Sequence, residues 1–168
     1  LFRSMTSQSI PINISRWVLD GETKQKIMET ETVYVTVPAG TDDKEIIVLR
    51  NQGNVISDTL RGDVKIIVHV DNPTEFKREG LHLHLTKHVS LKEALCGFSF
   101  EFDHLSGVSY TLSSQRGRNI ITPNLRRTYA KMGLVRGDVT GNLIVQFVID
   151  FPKHLTPEQI DGLLTYLP

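Results

Sequence analysis

The sequence lacks several features that would each indicate a particular class of protein. Its single cysteine, Cys96, cannot form a disulfide within the chain, which favours a reducing compartment such as the cytoplasm. No apolar run approaches the roughly 18 residues that a membrane-spanning helix needs, and no signal-peptide pattern opens the chain. Basic and acidic residues number 19 each. The resulting zero net charge argues against a protein whose whole surface binds nucleic acid.

Common catalytic motifs are also absent: the sequence has no G-x-S-x-G, no P-loop and no H-E-x-x-H. Cys96 is the only candidate thiol nucleophile. It lies beside Leu95 and Gly97 in an apolar stretch, where a buried structural cysteine is the favoured interpretation. We therefore expect a protein that is not an enzyme and that needs no cofactor.

What the chain does contain is a succession of short strands. Apolar residues alternate with polar ones, or form short continuous runs, in these stretches: 10–14, 33–37, 45–49, 64–70, 81–85, 110–112 and 143–149. Glycine-containing turns separate them, as at Asp20-Gly21 and Arg61-Gly62-Asp63. Short strands with frequent turns predict a sandwich or small barrel and not alternating βαβ units.

Residues 90–102, SLKEALCGFSFEF, combine two patterns. Apolar residues at helical spacing predict one short helix: Leu91, Ala94 and Leu95. Gly97 then ends it. Phenylalanines at alternate positions predict a strand with one apolar face: Phe98, Phe100 and Phe102.

A second helix is predicted at the end of the chain. Thr156-Pro157-Glu158-Gln159 is typical of a helix start, with threonine as the cap and proline at the first helical position. An apolar stripe follows, formed by Ile160, Leu163, Leu164 and Leu167. A helix this short is marginal alone, so we expect it to dock either on its own sandwich or on a second copy of the chain.

A metal site is one hypothesis for three histidines, His82, His84 and His88, because imidazole pairs bind zinc or copper. No Cys, Asp or Glu nearby completes the set. Solvated histidines on a strand face are the favoured interpretation, so no metal is predicted.

A nucleic-acid-binding site is one hypothesis for a basic cluster in the stretch 116–136. Its members are Arg116, Arg118, Arg126, Arg127, Lys131 and Arg136, with Tyr129 among them. Such clusters bind phosphate backbones, with the aromatic ring stacking on a base. The zero net charge favours a solvated loop instead. Nucleic acid is not an expected partner, and the role of the loop stays open.

Six stretches, in their order along the chain, carry a resemblance to a known family. They are VYVTVPAG (33–40), NQGN (51–54), RGDVKIIV (61–68), FKREG (76–80), VSLKEALCGFSFEF (89–102) and GNLIVQFVIDFP (141–152). Together with the terminal helix they resemble the C-terminal region of the DnaJ family, the J-domain cochaperones of the seventy-kilodalton heat-shock chaperone. The sequence has neither a His-Pro-Asp tripeptide nor a CxxC pair. The resemblance is therefore to the zinc-free subtype without the J-domain.

The resemblance implies a mainly β fold of two tandem small β-sandwich subdomains, with a short helix in the second and a C-terminal dimerisation helix. A weak similarity between residues 61–80 and 140–159 agrees with a tandem arrangement. The expected division is residues 1–8 disordered or a cloning remnant, 9–76 the first subdomain with the client groove, 77–154 the second subdomain and 155–168 the dimerisation helix.

The resemblance also implies a homodimeric cochaperone that holds unfolded polypeptides in apolar grooves and delivers them to a DnaK-type seventy-kilodalton chaperone. A client can add as an extended strand. The implied groove residues are Ile12, Ile14, Ile66 and Val68, and the implied dimerisation residues are Ile160, Leu163, Leu164 and Leu167. A structural or assembly protein that uses the same fold without client transfer is the alternative.

One part of the family pattern is changed. Zinc-free relatives carry basic residues that bind the acidic C-terminal tail of the partner chaperone, and this chain carries Ile10, Thr30 and Asp71 at those positions. An acidic tail needs positive charge, and Asp71 repels it. Tail docking in its usual form is therefore not expected. The sequence alone does not tell whether the alternating isoleucines face a groove or the core.

Overall fold

A computed structural model describes residues 5–23, 25–57, 59–114 and 120–167, with only the backbone considered at Ile56. The strands are β1 Gln8–Leu19, β2 Lys26–Val37, β3 Ile46–Leu49, β4 Val55–Ser57, β5 Leu60–Arg61, β6 Val64–Ile67, β7 Lys77–Glu79, β8 His82–Ser90, β9 Ser99–Asp103, β10 Ser109–Ser113, β11 Arg126–Tyr129, β12 Val135–Arg136, β13 Val139–Thr140 and β14 Leu143–Asp150. The helices are α1 Leu91–Cys96 and α2 Pro157–Tyr166. The predicted mainly β class is confirmed, with several small sheets consistent with β-sandwich subdomains.

The chain forms two compact units, and neither is one continuous stretch. The first comprises residues 1–83 and 130–143, and the second comprises residues 84–129 and 144–168. The chain therefore passes from one unit to the other three times.

The subdomain boundaries expected from the sequence, after residues 76 and 154, stay predictions. Of the start expected to be disordered or a cloning remnant, residues 1–4 lie outside the described residues. Gln8 begins β1, and the Ser7 hydroxyl accepts a hydrogen bond from the Ala39 N–H at 3.1 Å.

In the first unit, β1 and β2 form a long antiparallel hairpin. The pairing runs without a shift from Gln8 opposite Val37 to Leu19 opposite Lys26. Side chains alternate between the two faces of a strand, so three isoleucines share one face with Val33 and Val35: Ile10, Ile12 and Ile14. Ile14 and Val35 are buried there. This face of the hairpin contributes to the core of the first unit.

A second antiparallel pair in the first unit is β3 with β6, where Ile46 lies opposite Ile67 and Ile47 opposite Ile66. The predicted strand 64–70 is shorter than expected, because β6 ends at Ile67. Lys44, with φ at 63°, donates its N–H to the Val68 carbonyl at 2.7 Å. The left-handed conformation of Lys44 interrupts the regular hydrogen-bond ladder at the end of the strand pair where β3 begins and β6 ends.

Residues 130–143 belong to the first unit through close backbone packing. A Cβ atom on Gly141 would lie 1.9 Å from the Leu81 carbonyl oxygen, so only glycine fits there. The Leu134 N–H donates to the same carbonyl at 2.8 Å. Arg136 binds both carboxylate oxygens of Glu45, at 2.6 and 3.0 Å. These hydrogen bonds are the main reason why the pKa of Glu45 lies below its usual value.

In the second unit, the two patterns of residues 90–102 are confirmed. Ser90 caps α1 with a capping box: its hydroxyl accepts from the Glu93 N–H, and the Glu93 carboxylate accepts from the Ser90 N–H. The helix buries Ala94. Gly97 follows with φ at 106°, a conformation that favours glycine, and the chain then enters β9.

The phenylalanines of this segment form the aromatic part of the core in the second unit. Phe98 and Phe102 are 6% and 5% exposed. The Phe98 ring lies 5.6 Å from Phe100 and 5.2 Å from the fully buried Phe147 of β14, measured between centroids. Such ring pairs add to the free energy gained from apolar burial. The order of the sheet that contains β14 is β11-β14-β8-β7.

The predicted terminal helix is also confirmed. Thr156 caps α2 with a capping box that involves Gln159, and Pro157 occupies the first turn. None of its residues is fully buried. Within the described residues, no helix is long and apolar enough to cross a membrane.

Candidate functional site

The four residues predicted to form a client groove lie on or beside two strand pairs of the first unit. Ile12 and Ile14 lie on β1, Ile66 lies on β6, and Val68 follows β6 directly. Ile14 is 8% exposed, whereas the other three are half-buried. Ile14 thus has the burial of a core residue, and the core leaves the other three partly uncovered. Their role in binding stays a prediction.

Sequence reasoning missed a second apolar face on β3 and β6. The register places Ile46, Val48 and Ile67 on the face opposite to Ile66, and they are 54%, 44% and 56% exposed. The signal was present in the sequence, because EIIVL and VKII leave both faces of the strand pair largely apolar. Exposed apolar side chains grouped in this way are typical of interaction surfaces.

The three positions at which the resemblance implies basic residues are all at the surface of the first unit. Ile10 is 43% exposed, and Thr30 and Asp71 are exposed. The Thr30 hydroxyl is hydrogen-bonded to the Ser15 hydroxyl at 3.0 Å. None of the three supplies positive charge.

The predicted dimerisation stripe lies at the surface of the second unit. Ile160, Leu164 and Leu167 are 45%, 77% and 49% exposed, and Leu163 is half-buried. The four side chains, together with Leu155, line an apolar concavity of about 480 Å³. A short helix that exposes most of its apolar side chains is incompletely covered by its own chain.

A larger apolar cavity, of about 780 Å³, lies between α1, the end of β14 and α2. Leucine, isoleucine and phenylalanine side chains make up much of its wall: Leu91, Leu95, Ile120, Phe151, Leu155 and Leu163. Phe151 and Ile120 are 67% and 58% exposed. The second unit therefore has unfilled apolar space on the inner side of α2 as well.

The expectation that Cys96 is buried is wrong. Cys96 is exposed, because it is the last residue of α1 and the helix buries its Ala94 face instead. Its side chain lines the larger cavity. An apolar neighbourhood in the sequence does not distinguish a core position from the wall of an open cavity.

His82 and His88 have separate partners. The His82 Nδ1 atom accepts the Asn142 N–H at 3.0 Å, so a backbone group and not only water satisfies it. The His88 Nδ1 atom lies 3.0 Å from a carboxylate oxygen of Asp150. No group of three metal-ligating side chains occurs among the described residues.

The basic cluster is divided. Arg116 and Arg118 lie outside the described residues. The Arg127 guanidinium lies 5.8 Å from the centroids of both Phe98 and Phe147, and Arg136 is paired with Glu45. Two of the arginines are thus engaged by the protein itself, which weakens the case for a phosphate-binding loop.

The comparison with known proteins agrees with this architecture. The family model of the DnaJ C terminal domain matches residues 4–152. Chaperone protein dnaJ 3 of Arabidopsis thaliana is 31% identical over 84% of this chain and 34% of that protein. DnaJ protein homolog 1 of Allium porrum is 30% identical over 84% of this chain and 36% of that protein. DnaJ homolog subfamily A member 2 of Homo sapiens is 28% identical over 86% of this chain and 36% of that protein.

The chain belongs to the DnaJ family, and the part that matches is its C-terminal domain. It spans about a third of the length of the curated relatives it matches. The DnaJ cochaperone family is non-enzymatic, which is consistent with the expectation that this chain is not an enzyme.

Proposed function

We propose that this chain is the polypeptide-binding and dimerisation region of a cochaperone that works in the cytoplasm with a DnaK-type seventy-kilodalton chaperone. Membership of the DnaJ family supports the cochaperone role. The observation that carries client binding is that the core leaves Ile12, Ile66 and Val68 only half-buried. These side chains provide apolar surface on which an unfolded segment can bury its own side chains.

The mechanism needs no chemistry beyond weak, reversible contacts. An extended segment places alternate side chains against apolar positions of a strand pair. Two such sites in a dimer raise the overall avidity, because the second contact becomes intramolecular once the first has formed. Release to the partner chaperone then requires only that each individual contact is weak.

Suppression of aggregation tests client binding. A chemically unfolded client is diluted into buffer with the chain in several-fold excess, and light scattering is followed. We expect suppression by the native chain and loss of suppression in the double variant Ile12→Ser, Ile66→Ser. Ile27→Ser is the matched control, since Ile27 is 47% exposed and lies outside the predicted groove.

The outcomes separate the two functions considered. Suppression that survives in the double variant, with the fold intact by circular dichroism, would place the client elsewhere. An absence of suppression by the native chain would favour the structural or assembly protein. Ile14→Ser serves as a core comparison, and it should lower stability whether or not a client binds.

The dimer is proposed to form through the exposed stripe of α2. Leu164 is 77% exposed, so Leu164→Ser should weaken the dimer without loss of the monomer fold. Size-exclusion chromatography with light scattering measures the mass, and Thr165→Ala on the same helix is the control. A dimer of unchanged mass and concentration dependence in a Leu163→Ser, Leu164→Ser double variant would refute this role of the helix.

A further inference from the structure

The outer face of the β1–β2 hairpin has a composition that the proposed function does not explain. It is the face opposite to the one with the three isoleucines. The register places twelve residues on it: Leu19 and Lys26 next to the turn, and ten others, which are Ser9, Pro11, Asn13, Ser15, Trp17, Met28, Thr30, Thr32, Tyr34 and Thr36. All ten residues are exposed. None carries a charge, although 23% of the chain is charged. We call these ten residues the outer hairpin face.

The charged residues of the same strands lie elsewhere. Arg16, Glu29 and Glu31 are on the inner face, where the Arg16 guanidinium binds both carboxylates. On the outer side, the next pair toward the turn is Leu19 with Lys26, and it brings the first charge. The outer hairpin face therefore offers no counter-ion to a charged ligand, and a neutral partner matches it best.

The centre of the outer hairpin face is a row of ordered polar groups. The Thr32 hydroxyl donates to the Asn13 side-chain oxygen at 2.7 Å, and the Ser15 and Thr30 hydroxyls are 3.0 Å apart. These contacts fix the side chains and leave other capacity for a ligand, notably the two N–H donors of the Asn13 amide and the lone pairs of the Thr32 hydroxyl. A ligand with many hydroxyl groups can both donate to and accept from such a row.

Exposed aromatic rings lie toward the two ends of the row. Trp17 is 45% exposed and Tyr34 is 71% exposed. Tyr34 lies opposite Pro11, six positions from Trp17 along β1, which corresponds to about 20 Å in an extended strand. Exposed indole and phenol rings provide flat apolar surfaces with a polar edge. The C–H face of a sugar ring can lie on such a surface.

We propose that the outer hairpin face binds a neutral, extended oligosaccharide. Sugar rings stack on Trp17 and Tyr34, and sugar hydroxyls bond to the row between them. The separation of the two rings requires a chain of several sugar units. A polypeptide fits less well, because its backbone pairs with a strand edge and not with a face, and because the centre of this face lacks apolar side chains. The inference does not depend on the proposed chaperone function.

The chain contains a single tryptophan, so its intrinsic fluorescence reports on this face alone. The probes are cellohexaose, chitohexaose and maltohexaose, with glucose as the short probe and a heparin hexasaccharide as the charged one. We expect at least one neutral hexasaccharide to shift the Trp17 emission and to protect it from iodide quenching. We expect glucose and heparin to bind at least about tenfold more weakly, which is about 1.4 kcal/mol.

Variants locate the ligand. Tyr34→Ala should weaken hexasaccharide binding by about tenfold, as the loss of one stacking ring worth about 1.4 kcal/mol would, while the emission of the free protein stays unchanged. Thr32→Val removes the hydroxyl at nearly constant shape and should weaken binding less. Tyr166→Ala is the control, because Tyr166 is 86% exposed on α2.

Several outcomes would overturn the proposal. One is that no neutral hexasaccharide at millimolar concentration affects Trp17. Another is that a neutral Ser- and Asn-rich peptide protects Trp17 while the sugars do not. A third is protection of Trp17 that rises with protein concentration in the absence of sugar, because a second copy would then cover the face. Equal loss of binding in Tyr166→Ala and Tyr34→Ala would also contradict it.

Discussion

The hairpins β1–β2 and β9–β10 place their aromatic side chains on opposite sides. In β9–β10 of the second unit the phenylalanine side is covered: Phe102 is 5% exposed, and Phe98, directly before β9, is 6% exposed, whereas Tyr110 opposite Phe102 is 36% exposed. In β1–β2 of the first unit the aromatic residues stand on the uncovered face, and Tyr34 is 71% exposed. Both hairpins follow the same two-residue alternation. The covered rings hold the fold together, and the uncovered rings are free to meet a partner.

The largest expected effect on stability concerns the buried phenylalanines of the second unit. Phe98→Ala should lower the free energy of unfolding by about 3–5 kcal/mol, because it leaves a cavity beside Phe100 and Phe147. Urea denaturation followed by circular dichroism measures the loss. A decrease below about 1 kcal/mol would mean that the rings are less tightly packed than their burial indicates.

A smaller effect is expected where the chain enters the covered strand. Ser90→Ala removes the side chain that accepts the Glu93 N–H at the start of α1. The loss should be about 1 kcal/mol, the usual cost of deleting such a cap. Ser90→Asn, which can cap in the same way, is the control and should retain most of the stability. Equal losses in both variants would argue against a capping role.

The same cap predicts a dependence on pH. Hydrogen bonds from the Ser90 N–H, and then from its hydroxyl, lower the pKa of Glu93 below 4.5. A carboxyl with a lowered folded pKa stabilises the fold above its unfolded pKa, and this contribution is lost as the pH falls through the lowered value. The melting temperature of the native chain should therefore approach that of Glu93→Gln as the pH falls below the usual pKa of a glutamate and through the lowered one. A constant difference between the two proteins would contradict this linkage.

The smallest expected effect on stability concerns the exposed aromatic residues of the β1–β2 hairpin. Tyr34→Ala should change the free energy of unfolding by no more than about 0.5 kcal/mol, as surface substitutions usually do. The denaturation experiment used for Phe98→Ala measures it. A loss comparable to that of Phe98→Ala would show that the outer hairpin face supports the fold, and the contrast between the two hairpins would disappear.

Much of this fold could be predicted from local pattern. The two-residue period located β1, β8 and β9. Apolar residues at helical spacing located both helices, with Gly97 ending the first and Thr156 capping the second, because these signals arise from contacts near in sequence. The first half of β2, KIMETET, was missed, since its exposed residues leave no apolar stripe on either face. Sequence alone also did not reveal that β11 and β12 lie within the stretch expected to be a loop.

The exposure of surfaces was harder to predict than the strands themselves. The run IIVL in β3 is apolar on both faces, and periodicity does not tell which face the rest of the chain covers. Cys96 was misjudged for the same reason, since its apolar neighbours line a cavity and not the core. Burial depends on contacts between segments that are distant in sequence, and the local spacing of residues does not predict these contacts.

The membership of residues 130–143 in the first unit also bears on the order in which the protein is made. Chains emerge from the ribosome beginning at the N-terminus, and domains generally fold as units. The Leu81 carbonyl packs against Gly141 and accepts the Leu134 N–H, and Glu45 pairs with Arg136, so these contacts form only after residues 134–141 exist. The first unit therefore cannot complete its contacts until residue 143 has been synthesised, after residues 84–129 of the second. A nascent chain released at residue 83 would lack residues 130–143, which pack against the first unit. Both units therefore complete their folding late in synthesis and close together in time.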